Sequence, residues 1–371
     1  MEQKIIIAGE GYRELDEYIK ENKAETILLV CDVALPFLNI NGYFEGLEDR
    51  LGVKVIKFND FKPNPLYESV VEGVKVFNDN KCDLIMAVGG GSAIDVAKCI
   101  KLYSNMDPSE NYLKQEIVPN DVPLLAVPTT AGTGSEATRY AAIYYKGAKQ
   151  SVTDYSAIPS TVVVDASTLK TLPEYQKKAT MMDALCHCIE SYWSVNSNDE
   201  SHEYSREGIR LILSNMDAYL ENDDAACVNM LHAANLGGKA INITQTTAGH
   251  AMCYKLTSLY GISHGHAAAL CVSRLWPYMI AHTEKCIDPR GEEYLKGIFD
   301  NIAEAMGCGS VPEAIECLQG ILAKLELKGP QVKDESEFDI LKTSVNPVRL
   351  KNHPVQLDEE TIDMLYHEIL N

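Results

Sequence analysis

The hydrophobic rhythm of the chain changes near Asp165. Before it, short apolar and β-branched runs alternate with stretches of helical period. Residues 5–8, Thr26–Cys31, 53–58 and 84–88 read as strands, and residues 12–21 as a helix. Thr26–Cys31 (TILLVC) is apolar without alternation, the mark of a strand buried on both faces. Residues 66–78 carry Val70, Val71, Val74 and Phe77 on one face of a helix. Further strands are expected at 124–127, 140–145 and 160–164. Strands separated by helices indicate a parallel sheet with crossover helices. From about Glu174 onward strand-like runs nearly vanish. Residues 209–220, 227–243 and 317–325 show three- and four-residue apolar spacing, and 359–370 reads as a last amphipathic helix. Residues 333–337 read as a charged surface loop, and 345–354 as a turn-rich connection. The expected organisation is an α/β domain over residues 1–165 and an all-helical domain over 166–371.

Composition narrows the partners. The 371 residues are 46% hydrophobic and 23% charged, ordinary for a soluble globular protein, and long enough for two domains. The net charge of −20 argues against nucleic acid or an anionic membrane as partner. An anionic small substrate would need a local group of Lys and Arg. No run reaches the roughly 20 apolar residues of a membrane span, and MEQKIIIAGEGY reads as a strand and turn, not a signal peptide. Eleven cysteines without a C-x-x-C pair read as reduced, buried thiols of a cytoplasmic protein. Cys186 and Cys188 flank His187 but project from other helix faces, so they read as packing.

Candidate chemistry concentrates in two helical stretches. Asp183 and His187 stand at i and i+4 in MMDALCHCIESYW, so carboxylate and imidazole share a face. His250 and His264 stand in HAMCYKLTSLYGISHGHAAAL, with the turn signal Gly261 between them. Each pair alone fits an ordinary ion pair or two unrelated histidines. Together they offer one oxygen and three nitrogens, a set suited to Zn²⁺ or Fe²⁺ and poor for Mg²⁺ or Ca²⁺. In the first half, Gly89-Gly90-Gly91-Ser92 lies between a strand and a helix, where backbone N–H groups can approach a phosphate. It is neither G-x-G-x-x-G nor a Walker loop. Residues 128–138 (PTTAGTGSEAT) form a loop rich in hydroxyls. Asp32, directly after TILLVC, suits either a ribose diol or an N-cap. Asp95 and Lys98, one turn apart, read alone as a surface ion pair.

These motifs resemble the iron-dependent, group III alcohol dehydrogenases. Asp32, GGGSAID at 89–95, PTTAGTGSEAT at 128–138, Asp183 with His187, and His250 with His264 and Gly265 follow that family's order and approximate spacing. The resemblance implies the dehydroquinate synthase-like fold: a Rossmann-like N-terminal domain, an all-α C-terminal domain, and an active site in the cleft between them. It implies that Asp183, His187, His250 and His264 bind one Fe²⁺ or Zn²⁺. It implies that Gly90, Gly91, Ser92, Thr129, Thr130 and Thr133 touch NAD or NADP, with Asp95 near the nicotinamide, Lys149 near its ribose, and Asp32 favouring NAD. It also implies a homodimer or larger assembly.

The chain departs from the family at Tyr254, where many members carry a second histidine near the metal. Tyr254, His266 or a water is then expected to move the proton. GKAINITQTTAGHAMCYKLTSLYGISHGHAAAL and VNPVRLKNHPV look like the phosphonoacetaldehyde reductase branch. That branch needs cations for a phosphonate, and Arg139, Lys239 and Lys255 are the candidates beside the motifs. The competing readings are a general medium-chain alcohol dehydrogenase, a dehydroquinate synthase-like lyase, and a non-catalytic metal-binding protein.

Overall fold

The computed structural model describes residues 3–370. The chain divides into two compact units, residues 1–172 with 222–231, and residues 173–221 with 232–371.

The first unit is built on a six-stranded sheet of β1 (Lys4–Ile7), β2 (Thr26–Cys31), β3 (Lys54–Phe58), β4 (Leu84–Gly89), β5 (Leu124–Pro128) and β8 (Thr161–Val164). The order is β1-β8-β5-β4-β2-β3 and every pairing is parallel. Helices cover both faces. Leu28, Val30, Ile85 and Ala87 pack with Val70, Val74, Ile94 and Ala97. Leu29, Met86 and Val88 on the other face pack with Leu15, Ile19 and Ile40. With both faces buried there is no polar side to alternate with, which is why TILLVC and LIMAV read as unbroken apolar runs.

Tyr140–Tyr145 does not join this sheet. As β6 it pairs antiparallel with β7 (Ala148–Thr153), a strand the apolar pattern did not announce. Lys146 and Gly147 join them with φ of 51° and 77°, the left-handed pair that a two-residue hairpin turn needs. Residues 166–172 and 222–231 group with the sheet and not with the helices. Lys170 Nζ lies 2.6 Å from Asp224 Oδ1 there.

The second unit is helical throughout. Its helices at the site are α2 (Glu174–Trp193), α4 (Ala248–Tyr260), α5 (His264–Ala281) and the short α6 (Pro347–Leu350), with the part of α3 (Asp224–Thr244) from His232 onward; α1 is the helix Gly91–Tyr103 of the first unit. Every residue of α2 from Met181 to Trp193 is buried, including Asp183, His187 and Glu190. Such polar groups are tolerated in a core only when they are partnered. The expected loop at 333–337 is partly helix: Ser336–Thr343 begins inside it, and Glu337 accepts a hydrogen bond from Tyr260 Oη at 2.7 Å. None of the eleven cysteines is paired in a disulfide. Eight are buried, while Cys286, Cys308 and Cys317 are partly exposed. No helix among the described residues is long and apolar enough to cross a membrane.

Candidate metal and cofactor site

Asp183 and His187 project from one face of the buried helix α2. His250 comes from the first turn of α4, and candidate ligand atoms of the three lie within 4.8 Å of one another. The His187 and His250 rings stack at 4.5 Å, and His250 Nε2 is 3.4 Å from Asp183 Oδ1. His264 opens α5, with its ring centre 5.3 Å from that of His250. Gly265 makes this approach possible. A Cβ there would lie 2.1 Å from the carbonyl oxygen of Ala179 and 2.5 Å from Asp183 Cβ. Only hydrogen fits where α5 meets α2.

Behind His250 stands a residue that the sequence reading did not single out. Glu190 is wholly buried one turn beyond His187, and its Oε2 accepts the hydrogen of His250 Nδ1. Its Oε1 accepts from Thr247 Oγ1 at 2.5 Å and from Thr247 N at 3.2 Å, so the carboxylate also caps the N-terminus of α4. Burial disfavours the charge on Glu190, but His250 and Thr247 outweigh it and hold the group at about 2. Burial likewise opposes a charged His250, yet Glu190 and Asp183 push it up to about 10. Asp183 is held well below the usual carboxylate range by the neighbouring imidazoles, against its own burial. Two buried carboxylates among imidazoles thus demand positive charge. A divalent cation supplies it with the right donor set, one oxygen and neutral ring nitrogens.

In the first unit the two loops singled out face each other. Gly90 caps α1, which begins at Gly91. A Cβ on Gly91 would sit 3.0 Å from Thr133 side-chain atoms, and one on Gly90 would sit 3.4 Å from those of Thr130. A Cβ on Gly89 would meet Ala93 Cβ at 2.6 Å and Asp32 Oδ2 at 2.9 Å. Bare backbone at a helix N-terminus, beside threonine hydroxyls, is a fitting cradle for a pyrophosphate. Asp32 Oδ1 accepts from Ala34 N at 2.9 Å, while Oδ2 faces the Gly89 turn.

Residues 3–166 match the model of the iron-containing alcohol dehydrogenases, and residues 177–370 match the model of that family's C-terminal domain. The chain belongs to the iron-containing alcohol dehydrogenase family. It is 31% identical over 293 residues to alcohol dehydrogenase 4 of Saccharomyces cerevisiae, covering 75% of this chain and 74% of that one. It is 30% identical over 302 residues to a phosphonoacetaldehyde reductase of Streptomyces viridochromogenes, covering 78% and 76%. A solved 1,3-propanediol oxidoreductase superposes with a TM-score of 0.87 at 26% identity, over 99% of this chain and 97% of that one.

In this alcohol dehydrogenase, Asp95 and Lys98 are not a surface pair. Lys98 is wholly buried and donates to Ser135 Oγ, Thr138 Oγ1 and the carbonyl of Tyr140 at 2.8–3.2 Å. Asp95 accepts from Ser135 Oγ at 2.5 Å and from Ala142 N at 2.9 Å. Both side chains pin the threonine-rich loop to α1. Ser92 lies in the first turn of α1, Thr129 follows β5 and donates its N–H to the carbonyl of Gly89 at 3.1 Å, and Lys149 sits exposed in β7.

His266 is engaged elsewhere. Its Nε2 donates to the Lys328 carbonyl at 3.0 Å, which leaves Nδ1 to accept from Tyr175 Oη at 3.1 Å. Burial lowers its basicity, so this ring is a neutral cross-link between segments. Tyr254 does face the centre, with its ring 5.1 Å from that of His264, and Cys253 Sγ lies 3.4 Å from His264 Nδ1.

Each of the three candidate cations has contacts or a placement within its own unit. Arg139 belongs to the first unit, where it covers the Tyr155 ring and donates to its hydroxyl at 2.7 Å. Lys239 covers the Tyr204 ring; Gly237, two residues earlier on α3, is the position that approaches His187. Lys255 follows His250 by five residues, about 140° around the helix, whereas Tyr254 is only about 40° away.

Proposed function

We propose that this protein is a metal-dependent, NAD-linked reductase of short aldehydes, and that its native aldehyde is phosphonoacetaldehyde, reduced to 2-hydroxyethylphosphonate. The observation that carries the reading is the buried Asp183, His187 and His250 cluster backed by Glu190, in a chain of this family. Asp183, His187, His250 and His264 would hold Fe²⁺ or Zn²⁺. When bound, the ion supplies Lewis acidity toward the aldehyde oxygen, and reduced nicotinamide supplies the hydride.

The residues of the chain do the rest. Glu190 fixes His250 with its hydrogen on Nδ1, so that Nε2 presents a lone pair toward Asp183 and His187. Gly90, Gly91 and Thr133 receive the pyrophosphate, and Asp32 receives a ribose diol and repels a 2′-phosphate. Asp95 and Lys98 hold the threonine-rich loop in register with α1. Burial raises the Tyr254 phenol, so it stays protonated at neutral pH and can donate a proton from Oη to the developing alkoxide.

The phosphonate reading is supported by the Streptomyces relative and by the segments at 238–270 and 345–355. The yeast relative, of similar identity, favours a general alcohol dehydrogenase as the second reading. The deciding experiment is a panel of aldehydes with NADH and NADPH on metal-reconstituted protein. Phosphonoacetaldehyde with NADH is expected to give the highest kcat/KM. Equal or better use of propanal would favour the second reading.

A further inference from the structure

A dianionic substrate would need a cation of the chain besides a metal ion, and Lys255 stands about 140° around its helix from His250, while Lys239 covers the Tyr204 ring. The segment after residue 344 supplies another. Asn346 Oδ1 caps α6 by accepting from Val348 N at 2.9 Å. Asn352 Nδ2 donates to Gln245 Oε1 at 3.2 Å and to the Thr246 carbonyl at 3.3 Å, while Asn352 Oδ1 accepts from Asn196 Nδ2 at 3.1 Å. His353 is wholly buried with its ring edge-on to Trp193. These contacts bolt α6 to the turn that leads into α4.

Arg349 is carried on that fixed helix. Its guanidinium carbon lies 5.0 Å from the centre of the Tyr254 ring, and Nη1 is 3.4 Å from Thr246 Oγ1. Tyr254 is therefore the common neighbour of Arg349 and His264. Arg349 is half-buried, and its contacts among the described residues are the Thr246 hydroxyl and the Tyr254 ring. By contrast, Arg50 is paired with Asp16, Arg210 with Glu304, and Arg290 with Asp288. One long hydroxyl contact and an aromatic face leave most of the five N–H donors unused, in a planar fork that matches two oxygens of a phosphonate.

We infer that Arg349 binds the phosphonate of the substrate, with Thr246 beside it, and sets the preference for an anionic aldehyde. The inference rests on the substrate reading above. It locates the selectivity of the reductase in Arg349 of α6 and its neighbours Thr246 and Tyr254, not in the lysines of α3 and α4. Held by Arg349, the phosphonate would be kept away from a metal held by Asp183, His187, His250 and His264.

The test compares wild type, Arg349→Ala and Arg349→Lys, each reconstituted with the same metal, on two readouts. One is the ratio of kcat/KM for phosphonoacetaldehyde to that for propanal. The other is the dissociation constant of ethylphosphonate by calorimetry. Arg349→Ala should lower the ratio about ten- to a hundredfold and weaken ethylphosphonate by a similar factor, with Arg349→Lys between it and wild type. The ratio is internal to each variant, so a general loss of folded or metal-loaded enzyme cancels. If wild type prefers phosphonoacetaldehyde but Arg349→Ala keeps both the ratio and the ethylphosphonate affinity, the assignment of Arg349 is overturned and the substrate reading stands. If wild type shows no preference, the substrate reading falls and the assignment falls with it.

Discussion

His250 donates its Nδ1 hydrogen to Glu190, and both side chains are buried to the last few per cent. This contact turns the opposite nitrogen of His250 toward Asp183 and ties the first turn of α4 to α2. A carboxylate behind a histidine ligand fixes the tautomer and raises ligand basicity. Glu190→Gln keeps an acceptor for Nδ1 but removes the charge. Metal affinity should fall roughly 10–100-fold in this variant, measured by chelator competition. Wild-type affinity would mean that Glu190 serves only as a cap for α4.

The packing of α5 on α2 depends on Gly265. Gly265→Ala drives a methyl into the Ala179 carbonyl and Asp183, atoms of a helix that cannot yield as a flexible side chain can. The expected loss is about 1–3 kcal/mol or more of stability, with lower metal content because Asp183 is displaced. Urea denaturation and elemental analysis read the two effects. A variant that matches wild type in both would show that the two helices can separate freely.

Much of this was legible in the chain, and the gaps have physical causes. Asp183 with His187 could be read from their i, i+4 spacing. Glu190 could have been read too, since it stands at i+3 from His187 and i+7 from Asp183 on the same face. In sequence it passes for the solvent-facing acid of an amphipathic helix, and only the burial of the whole turn reveals its role. The hairpin at 140–153 was half visible. Its second strand, AKQSVT, is too polar to show an apolar pattern, and the signal was the Lys146-Gly147 turn. Arg349 lies 95 positions after Tyr254, and no spacing rule joins them.

Acid should weaken the fold through His353. This ring is wholly buried, neither nitrogen has a hydrogen-bond partner in the structure, and burial lowers it from the ordinary 6.5 to about 4. The unfolded chain takes up a proton near 6.5, while the folded chain does so only near 4. The unfolded state therefore binds more protons in between, and stability declines as pH falls from 6.5 toward 4. The full effect is about 3 kcal/mol. His353→Phe, which keeps a ring against Trp193, should flatten that part of the pH–stability curve. An identical acid slope in the variant would assign the loss to other groups.

Cofactor choice should turn on Asp32. Asp32→Gly removes the charge at the end of β2 and the oxygen that faces Gly89. The ratio of kcat/KM with NADH to that with NADPH should fall about tenfold or more. An unchanged ratio would leave Asp32 with its hydrogen bond to Ala34 N as its whole function.

Asp183, His187, His250 and His264 are proposed to share one metal site. The most direct measurement is the metal content of purified wild type and His264→Ala by elemental analysis, with circular dichroism to confirm that both are folded. Wild type should carry about one Fe or Zn per chain, as a single four-ligand site requires. His264→Ala should lose most of it while remaining folded. A folded His264→Ala protein with its full complement of metal would contradict the account.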